Sequence, residues 1–228
     1  MLELGTKFLI SYLIGSLMGG LIMGRLRGGV DIRTMGSGNA GGTNALRTQG
    51  ALFALGVIII DIGKGAVAAG VVPGLDLPFA PTDPQISREW LAVACAAAAV
   101  AGHVWPIYHR FRGGKGAATM VGTLTVLAPG LLLPLLGVWL LVLTITGYVG
   151  LSTMTAAVAL PAFVAAARWP ADQPLLVYGI VMAAFIIWCH RSNVQRMLDG
   201  VENRNPKVML FRRFAKQGGT AGDGDDGH

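Results

Sequence analysis

The chain has 228 residues, 53% of them hydrophobic and only 13% charged, with a formal net charge of +6. Soluble domains carry about 25% charged residues, so this deficit and a mean hydropathy of +0.59 exclude an ordinary water-soluble domain. They point to an all-α polytopic integral membrane helix bundle. Two cysteines, Cys95 and Cys189, lie in apolar blocks and read as small buried hydrophobes, which excludes a disulfide framework or a Cys/His metal site.

The first apolar block, 8–24, follows a single lysine and lacks a small-residue cleavage site. It reads as a span rather than a signal peptide. The polar stretch GGVDIRTMGSGNAGGTNALRTQG (28–50) comes next. Gly36, Gly38 and Gly41 allow its backbone N–H groups to turn inward on an anion. A helix expected to start near Thr43–Asn44 adds the positive end of its dipole. Ser37, Asn39, Thr43 and Asn44 supply side-chain donors, and Arg47, one turn into that helix, can grip a phosphate through two parallel bonds. No Gly-Lys-Ser/Thr follows, so this is not a Walker A loop. A bare flexible connector is the plain alternative.

The second block, 51–73, is interrupted by Asp61 and Lys64. As i, i+3 neighbours they are expected to pair and to face the bundle interior, chiefly in a structural role. The connector 74–89 has three acids and one arginine, and a third block covers 90–108. It carries His103 near its end, either a buried hydrogen-bonding partner or a catalyst. The second polar stretch, GHVWPIYHRFRGGKGAAT (102–119), sets Lys115 beside Gly113 and Gly114 at a helix entrance.

Residues 117–167 carry no charge. Breaks near Pro129–Gly130, Gly147–Gly150 and Pro161 favour three crossings there over one. The last block, 175–189, leads into HRSNVQRMLDGVENR (190–204), which is expected to continue the same helix past the membrane surface. His190, Asn193 and Met197 then share a face, while Arg191 and Arg196 point elsewhere. The Gly/Asp-rich end of the tail reads as disordered. The expected division is a membrane domain over 1–205 and a cytoplasmic tail over 206–228.

Four, three and seven of the 18 basic residues fall in 25–50, 109–116 and 190–216. Positive charge favours the cytoplasmic side. The three basic stretches are therefore placed in the cytoplasm, 74–89 and 168–174 outside, the N-terminus outside and the C-terminus inside. Seven transmembrane helices follow, with five as the alternative. Three loops thus gather donors and positive charge at one membrane face, with no metal-ligand spacing and no aromatic-plus-basic surface for nucleic acid. Such a cluster suits a doubly anionic small substrate or a lipid with a phosphate in its head. A membrane transporter of phosphate esters is the competing class. It would want a midplane site open to both sides, and only Asp61 and Lys64 lie at such depth.

The segments DIRTMGSGNAGGTN, GHVWPIYHRFRGGKG and HRSNVQRMLDGVENR resemble, in order and spacing, the three motifs of the bacterial PlsY family of acyl-phosphate:glycerol-3-phosphate acyltransferases. The resemblance covers about 5–205. Gly42 stands where the family commonly has Ala, and His109 replaces a more usual apolar residue. The resemblance implies a seven-helix bundle in the bacterial inner membrane with its active site on the cytoplasmic side. It implies transfer of a fatty acyl group from acyl phosphate to the 1-hydroxyl of glycerol 3-phosphate, giving lysophosphatidate and phosphate, without metal or cofactor. It places the acyl-phosphate phosphate in the cradle of Ser37, Gly38, Asn39, Thr43 and Asn44, and glycerol 3-phosphate on Arg47, Lys115, His190 and Asn193. Ser37, Arg47, Lys115, His190 and Asn193 are the catalytic candidates. Gly36, Gly41, His103, Gly113, Gly114 and Arg191 complete the substrate-binding set. The proton acceptor stays open between His103, His190 and a phosphate oxygen of the substrate. An acyl-phosphate synthase is the expected functional partner.

Overall fold

The computed structural model describes residues 1–168 and 170–210. From 211 onward, the tail expected to be disordered lies outside the described residues. Ten α-helices occur among the described residues. They are α1 (Leu2–Gly15), α2 (Gly19–Leu26), α3 (Gly42–Gln49), α4 (Ala51–Gly70), α5 (Arg88–Val104), α6 (Ala117–Leu127), α7 (Leu132–Thr146), α8 (Val149–Arg168), α9 (Gln173–Cys189) and α10 (Arg191–Leu198). Four helical segments are long and apolar enough to cross a bilayer, or six if the bent pairs α1–α2 (43°) and α9–α10 (52°) each count as one span. The three apolar helices expected in 117–167 are α6, α7 and α8. At 11 residues, α6 is about 16 Å long, roughly half the ~30 Å hydrocarbon core.

Two expectations fail here. Pro161 does not end a helix but sits inside α8. A neighbouring helix can re-satisfy a carbonyl freed by proline in a membrane bundle, and α9 packs on this spot at Gly179. The segment 190–204 does not continue α9 straight. The chain bends at His190, which is both the last cap of α9 and the first cap of α10, and this turns α10 over the end of the bundle.

Small residues decide which helices cross closely. A Cβ at Gly15 would collide with the Ala99 backbone, and one at Gly102 with the Tyr12 carbonyl, so α1 and α5 touch backbone to backbone. Gly65 and Gly122 do the same for α4 and α6, against Thr119 and Ile62. Membrane helices, which gain no hydrophobic drive against each other in lipid, associate through such close van der Waals contact. The core between α5, α6, α8 and α9 buries Val100, Leu124, Leu160 and Ile186. Cys95 and Cys189 are both buried and free. Large apolar side chains such as Leu52, Ile59, Leu133 and Leu141 lie on the outside, as a lipid-facing surface requires.

The two ends differ in composition. At one end the N-terminal ammonium bonds Asp83 at 2.8 Å, and a crevice joins Glu89 to Arg168 and Asp172. The other end holds all three basic stretches. Arg33 Nη1 donates to the Arg112 carbonyl at 3.0 Å, tying the first stretch to the second. Lys115 Nζ donates to Asn193 Oδ1, tying the second to the third.

Candidate active site

The loop before α3 is shaped by one side chain. Asn44 is buried, and its Nδ2 faces the carbonyls of Ile32, Met35 and Asn39 at 2.9, 3.0 and 2.9 Å. Its Oδ1 accepts from the Ser37 N–H at 2.9 Å. An amide has only two N–H donors, so none remains for a ligand. Asn44 staples the loop shut rather than donating to a phosphate, which corrects the role expected of it. Gly36 and Gly38 have φ of 57° and 71°, a left-handed conformation that costs glycine little, and the Asn44 carboxamide occupies the space a Gly36 Cβ would need.

The staple leaves other groups available. The hydroxyls of Ser37 and Thr43 and the guanidinium of Arg47 have no hydrogen-bond partner among the described residues. Asn39 uses its Oδ1 on the Gly41 N–H at 2.9 Å, so its amide N–H groups stay free. Gly41 caps α3, so the first amides of that helix open toward the same space. Asp31, the nearby acid, is paired with Arg33 at 2.8 Å. That guanidinium holds its carboxyl below the usual range, and the pair adds little net charge to the loop.

These groups line a cavity of about 540 Å³. Ser37, Asn39, Gly41, Thr43, Asn44, Arg47, His103, Lys115, His190 and Asn193 all border it, so the three stretches meet at one place. Beyond this polar mouth the wall becomes apolar, with Ile58 and Ile62 of α4, Met120 and Leu124 of α6, Leu135 and Trp139 of α7, and Leu160 of α8. One void therefore joins a cationic end to a hydrocarbon-like groove.

Burial pushes the pKa of Lys115 down to about 8, helped by repulsion from Arg196. Asn193 passes the contact on, since its Nδ2 donates to Glu202 Oε1 at 2.9 Å, and Arg196 Nε holds Glu202 Oε2 at 2.6 Å. Arg196 and Glu202 both border the cavity. The sequence reading turned Arg196 away from the site and gave Glu202 no role. Both errors come from extending α9 straight through the bend at His190. His190 is buried, with Nδ1 2.8 Å from the Ile186 carbonyl. A carbonyl can only accept, so Nδ1 carries a proton, and the neutral ring offers a lone pair at Nε2.

Four expected glycines do not border the cavity: Gly36, Gly38, Gly113 and Gly114. The first two shape the loop. Gly113 packs on the His103 carbonyl, and Gly114 lies over His103 Nε2. Arg191 is also outside it, with its guanidinium 4.3 Å over the Trp188 ring and Nη1 on the Trp188 carbonyl at 3.0 Å. Cation–π contact on the outer face of the bend explains its position.

Below the mouth, Lys64 Nζ bonds three acceptors: the Leu17 carbonyl at 2.6 Å, His103 Nδ1 at 2.8 Å and Asp61 Oδ1 at 2.9 Å. The expected Asp61–Lys64 pair therefore forms, and it is buried. Asp61 also borders the cavity, although its Oδ2 is sealed and has no partner.

The sequence matches a family model described as glycerol-3-phosphate acyltransferase over residues 6–200. A protein of that name from Chlorobium limicola is 37% identical, across 90% of this chain and 97% of the relative. One from Chlorobium phaeobacteroides strain BS1 is 40% identical, across 86% and 93%. Among solved structures, PlsY, described as an integral membrane glycerol 3-phosphate acyltransferase, superposes in its glycerol 3-phosphate form with a TM-score of 0.75 and 30% identity, covering 90% of this chain and 96% of that one. Its lysophosphatidic acid form gives 0.74.

Proposed function

We infer the following reaction for this chain, which belongs to the glycerol-3-phosphate acyltransferase family in its PlsY form: a fatty acyl group passes from acyl phosphate to the 1-hydroxyl of glycerol 3-phosphate, giving lysophosphatidate and phosphate. One observation carries this reading, a cavity whose cationic mouth runs into an apolar groove. Acyl phosphate has both characters in one molecule. Its phosphate fits the unpaired Ser37 and Thr43 hydroxyls, Asn39 and the amides that open α3. Its chain fits the groove between α4, α6, α7 and α8. Glycerol 3-phosphate fits Arg47, a planar fork, and Lys115, a mobile point charge, with His190 and Asn193 beside them.

Acyl phosphate is a mixed anhydride and is already activated, so no nucleophilic side chain is required. Holding two anions in one place and aiming a hydroxyl at a carbonyl supplies much of the rate. The neutral His190 accepts a hydrogen bond from the glycerol hydroxyl at Nε2 and orients it. The hydroxyl proton leaves on an oxygen of the departing phosphate. Glu202 holds Asn193, and through it Lys115, in place.

The purified protein in detergent, given palmitoyl phosphate and glycerol 3-phosphate, is expected to release phosphate and form lysophosphatidate in equal amounts. Acyl-CoA or acyl carrier protein as donor is expected to give neither. A transporter would release no phosphate with any donor, and activity with acyl-CoA alone would overturn the donor assignment.

The proposed topology has seven crossings, with α6 as the short one, an external N-terminus and the active site facing the cytoplasm of a bacterial inner membrane. Residues 1–205 form the membrane domain and 206–228 its cytoplasmic tail. The grouping of the basic stretches at one end supports this orientation through the preference of positive charge for the cytoplasm. Labelling of single cysteines introduced at 76 and 112, from outside intact cells, is expected to modify only the first. An acyl-phosphate synthase delivering its product is the partner this reaction needs.

A further inference from the structure

His103 lines the cavity but was left undecided between a structural and a catalytic role. The partners of its two nitrogens decide it. Lys64 Nζ lies 2.8 Å from His103 Nδ1. Asp61 Oδ1 is the other neighbour of Nδ1, at 3.4 Å; an ammonium donates and never accepts, so the shorter Lys64 contact assigns the lone pair to Nδ1. Lys64 has three N–H groups and three acceptors, Leu17 O, Asp61 Oδ1 and Nδ1, so it has no freedom to turn away. Asp61 Oδ1 also accepts from the Gly19 N–H at 3.2 Å, which anchors the carboxylate against α2. The neutral ring with its lone pair at Nδ1 carries its proton on Nε2.

The ring that carries that proton borders the void. His103 Nε2 has no hydrogen-bond partner among the described residues and is not one of the sealed orphan atoms. A Cβ at Gly114 would lie directly on it, so a glycine there leaves Nε2 without a side chain pressed against it. On α4, Asp61 sits one turn below Ile58, which packs on Gly42, and beside Ile62 where the apolar groove begins. This is the level at which a phosphate in the loop would give way to a chain in the groove, and the carbonyl of an acyl phosphate lies between those two parts.

We propose that His103 is a catalytic residue that acts as a fixed Nε2–H donor to the reacting carbonyl oxygen, with Lys64 and Asp61 as positioning residues that lock its tautomer and Gly114 as the small residue that packs beside Nε2 without capping it. The proposal rests on the acyl-phosphate reading above. The glycerol hydroxyl oxygen forms a bond to the carbonyl carbon, and the carbonyl π pair moves onto its oxygen, which His103 Nε2–H holds by a hydrogen bond. When that pair returns, the bond to phosphate breaks and its electrons leave with the phosphate. The hydroxyl proton leaves on that phosphate, and His103 keeps its own proton throughout. The two histidines of the cavity therefore hold opposite tautomers, His103 donating and His190 accepting at Nε2.

The full chain labelled with 15N-histidine in lipid nanodiscs has four histidines to resolve, and His103→Gln identifies the His103 signals by their loss. The expected spectrum shows His103 protonated at Nε2 and bare at Nδ1. A proton on Nδ1 overturns the proposal. In Lys64→Met the His103 pair should shift toward a mixture of tautomers, and an unchanged pair removes Lys64 from the role. In turnover with palmitoyl phosphate, His103→Ala should lose about 10²–10³-fold in kcat with KM for glycerol 3-phosphate within about threefold, the size expected for one oxyanion donor. Glutamine puts an amide N–H where Nε2 was, and should recover kcat to within about tenfold of the parent, whereas asparagine should not. Near-parental turnover of His103→Ala, or rescue by asparagine instead of glutamine, overturns the donor role. If the parent made no lysophosphatidate from palmitoyl phosphate, the acyl-phosphate reading would fall, while the spectra would still report whether the tautomer is locked.

Discussion

Two buried acid–lysine sites stand at opposite ends of α5, about 22 Å apart along its axis. At one end Lys7 bonds Glu3 at 2.8 Å and the Pro73 carbonyl at 2.8 Å, while Glu3 also takes Arg88 at 2.7 and 3.0 Å and the Asp83 N–H at 2.8 Å. Both oxygens of Glu3 are used, and neither Glu3 nor Lys7 borders the 540 Å³ cavity. At the other end Asp61 and Lys64 look alike by residue type, yet their third member is His103, which borders the void together with Asp61. The same chemistry serves as a staple in one place and as a support for reactivity in the other. What separates them is whether the hydrogen-bond account closes.

That difference can be broken at four points. Glu3→Ala strands Lys7 without its acid, and removing one partner of a buried pair costs about 3–5 kcal/mol. Thermal unfolding in detergent should report that loss, while the folded fraction keeps its KM for glycerol 3-phosphate. A changed KM would mean that the two ends are coupled. Arg47→Ala should behave in the opposite way. Arg47 has no partner to strand among the described residues, so stability should move by less than about 0.5 kcal/mol, whereas loss of a bidentate phosphate contact should cost about 2–3 kcal/mol, read as a fall of about 30–150-fold in kcat/KM. Unaltered kinetics would remove Arg47 from the substrate grip.

The pH profile is a milder test. Lys115 must be protonated to hold a phosphate, and burial holds its pKa down at about 8. Rising pH removes that proton, so kcat/KM should be flat below about pH 7 and fall up to about tenfold per unit above pH 8. Lys115→Arg, charged throughout the range, should lose that limb even if its overall rate is lower. A limb that persists in the arginine variant would belong to another group. Arg191→Ala should do least, with less than about 1 kcal/mol in stability from its ring contact and kinetics close to the parent. A large rise in KM would place Arg191 back among the substrate contacts.

Much of this site could be read from the chain because its signals are compositional. The polar run from Gly36 to Asn44 between apolar blocks marks a loop that borders the cavity, and Lys115 beside two glycines marks a second such segment. Other parts were hidden. Asn44 reads as one more donor, and only the positions of the Ile32, Met35 and Asn39 carbonyls show that its N–H groups are spent. Arg196 and Arg191 differ in fate because the bend at His190 rotates α10, and no proline or glycine lies between 180 and 199 to announce a bend. Pro161 misleads in the other direction, since a helix packed among neighbours carries it without breaking.

The sequence by itself determined the lipid-embedded helical class, the three cationic stretches and the family to which they belong. Transfer of side chains between water and hydrocarbon is a local property summed along the chain, so composition and order suffice for it. Tertiary structure alone decided which donors remain free, which of two acid–lysine pairs meets a cavity, and which groups face the ring nitrogens of His103 and His190. Those outcomes depend on partners brought from helices tens of residues apart, at distances that neither spacing nor residue type encodes.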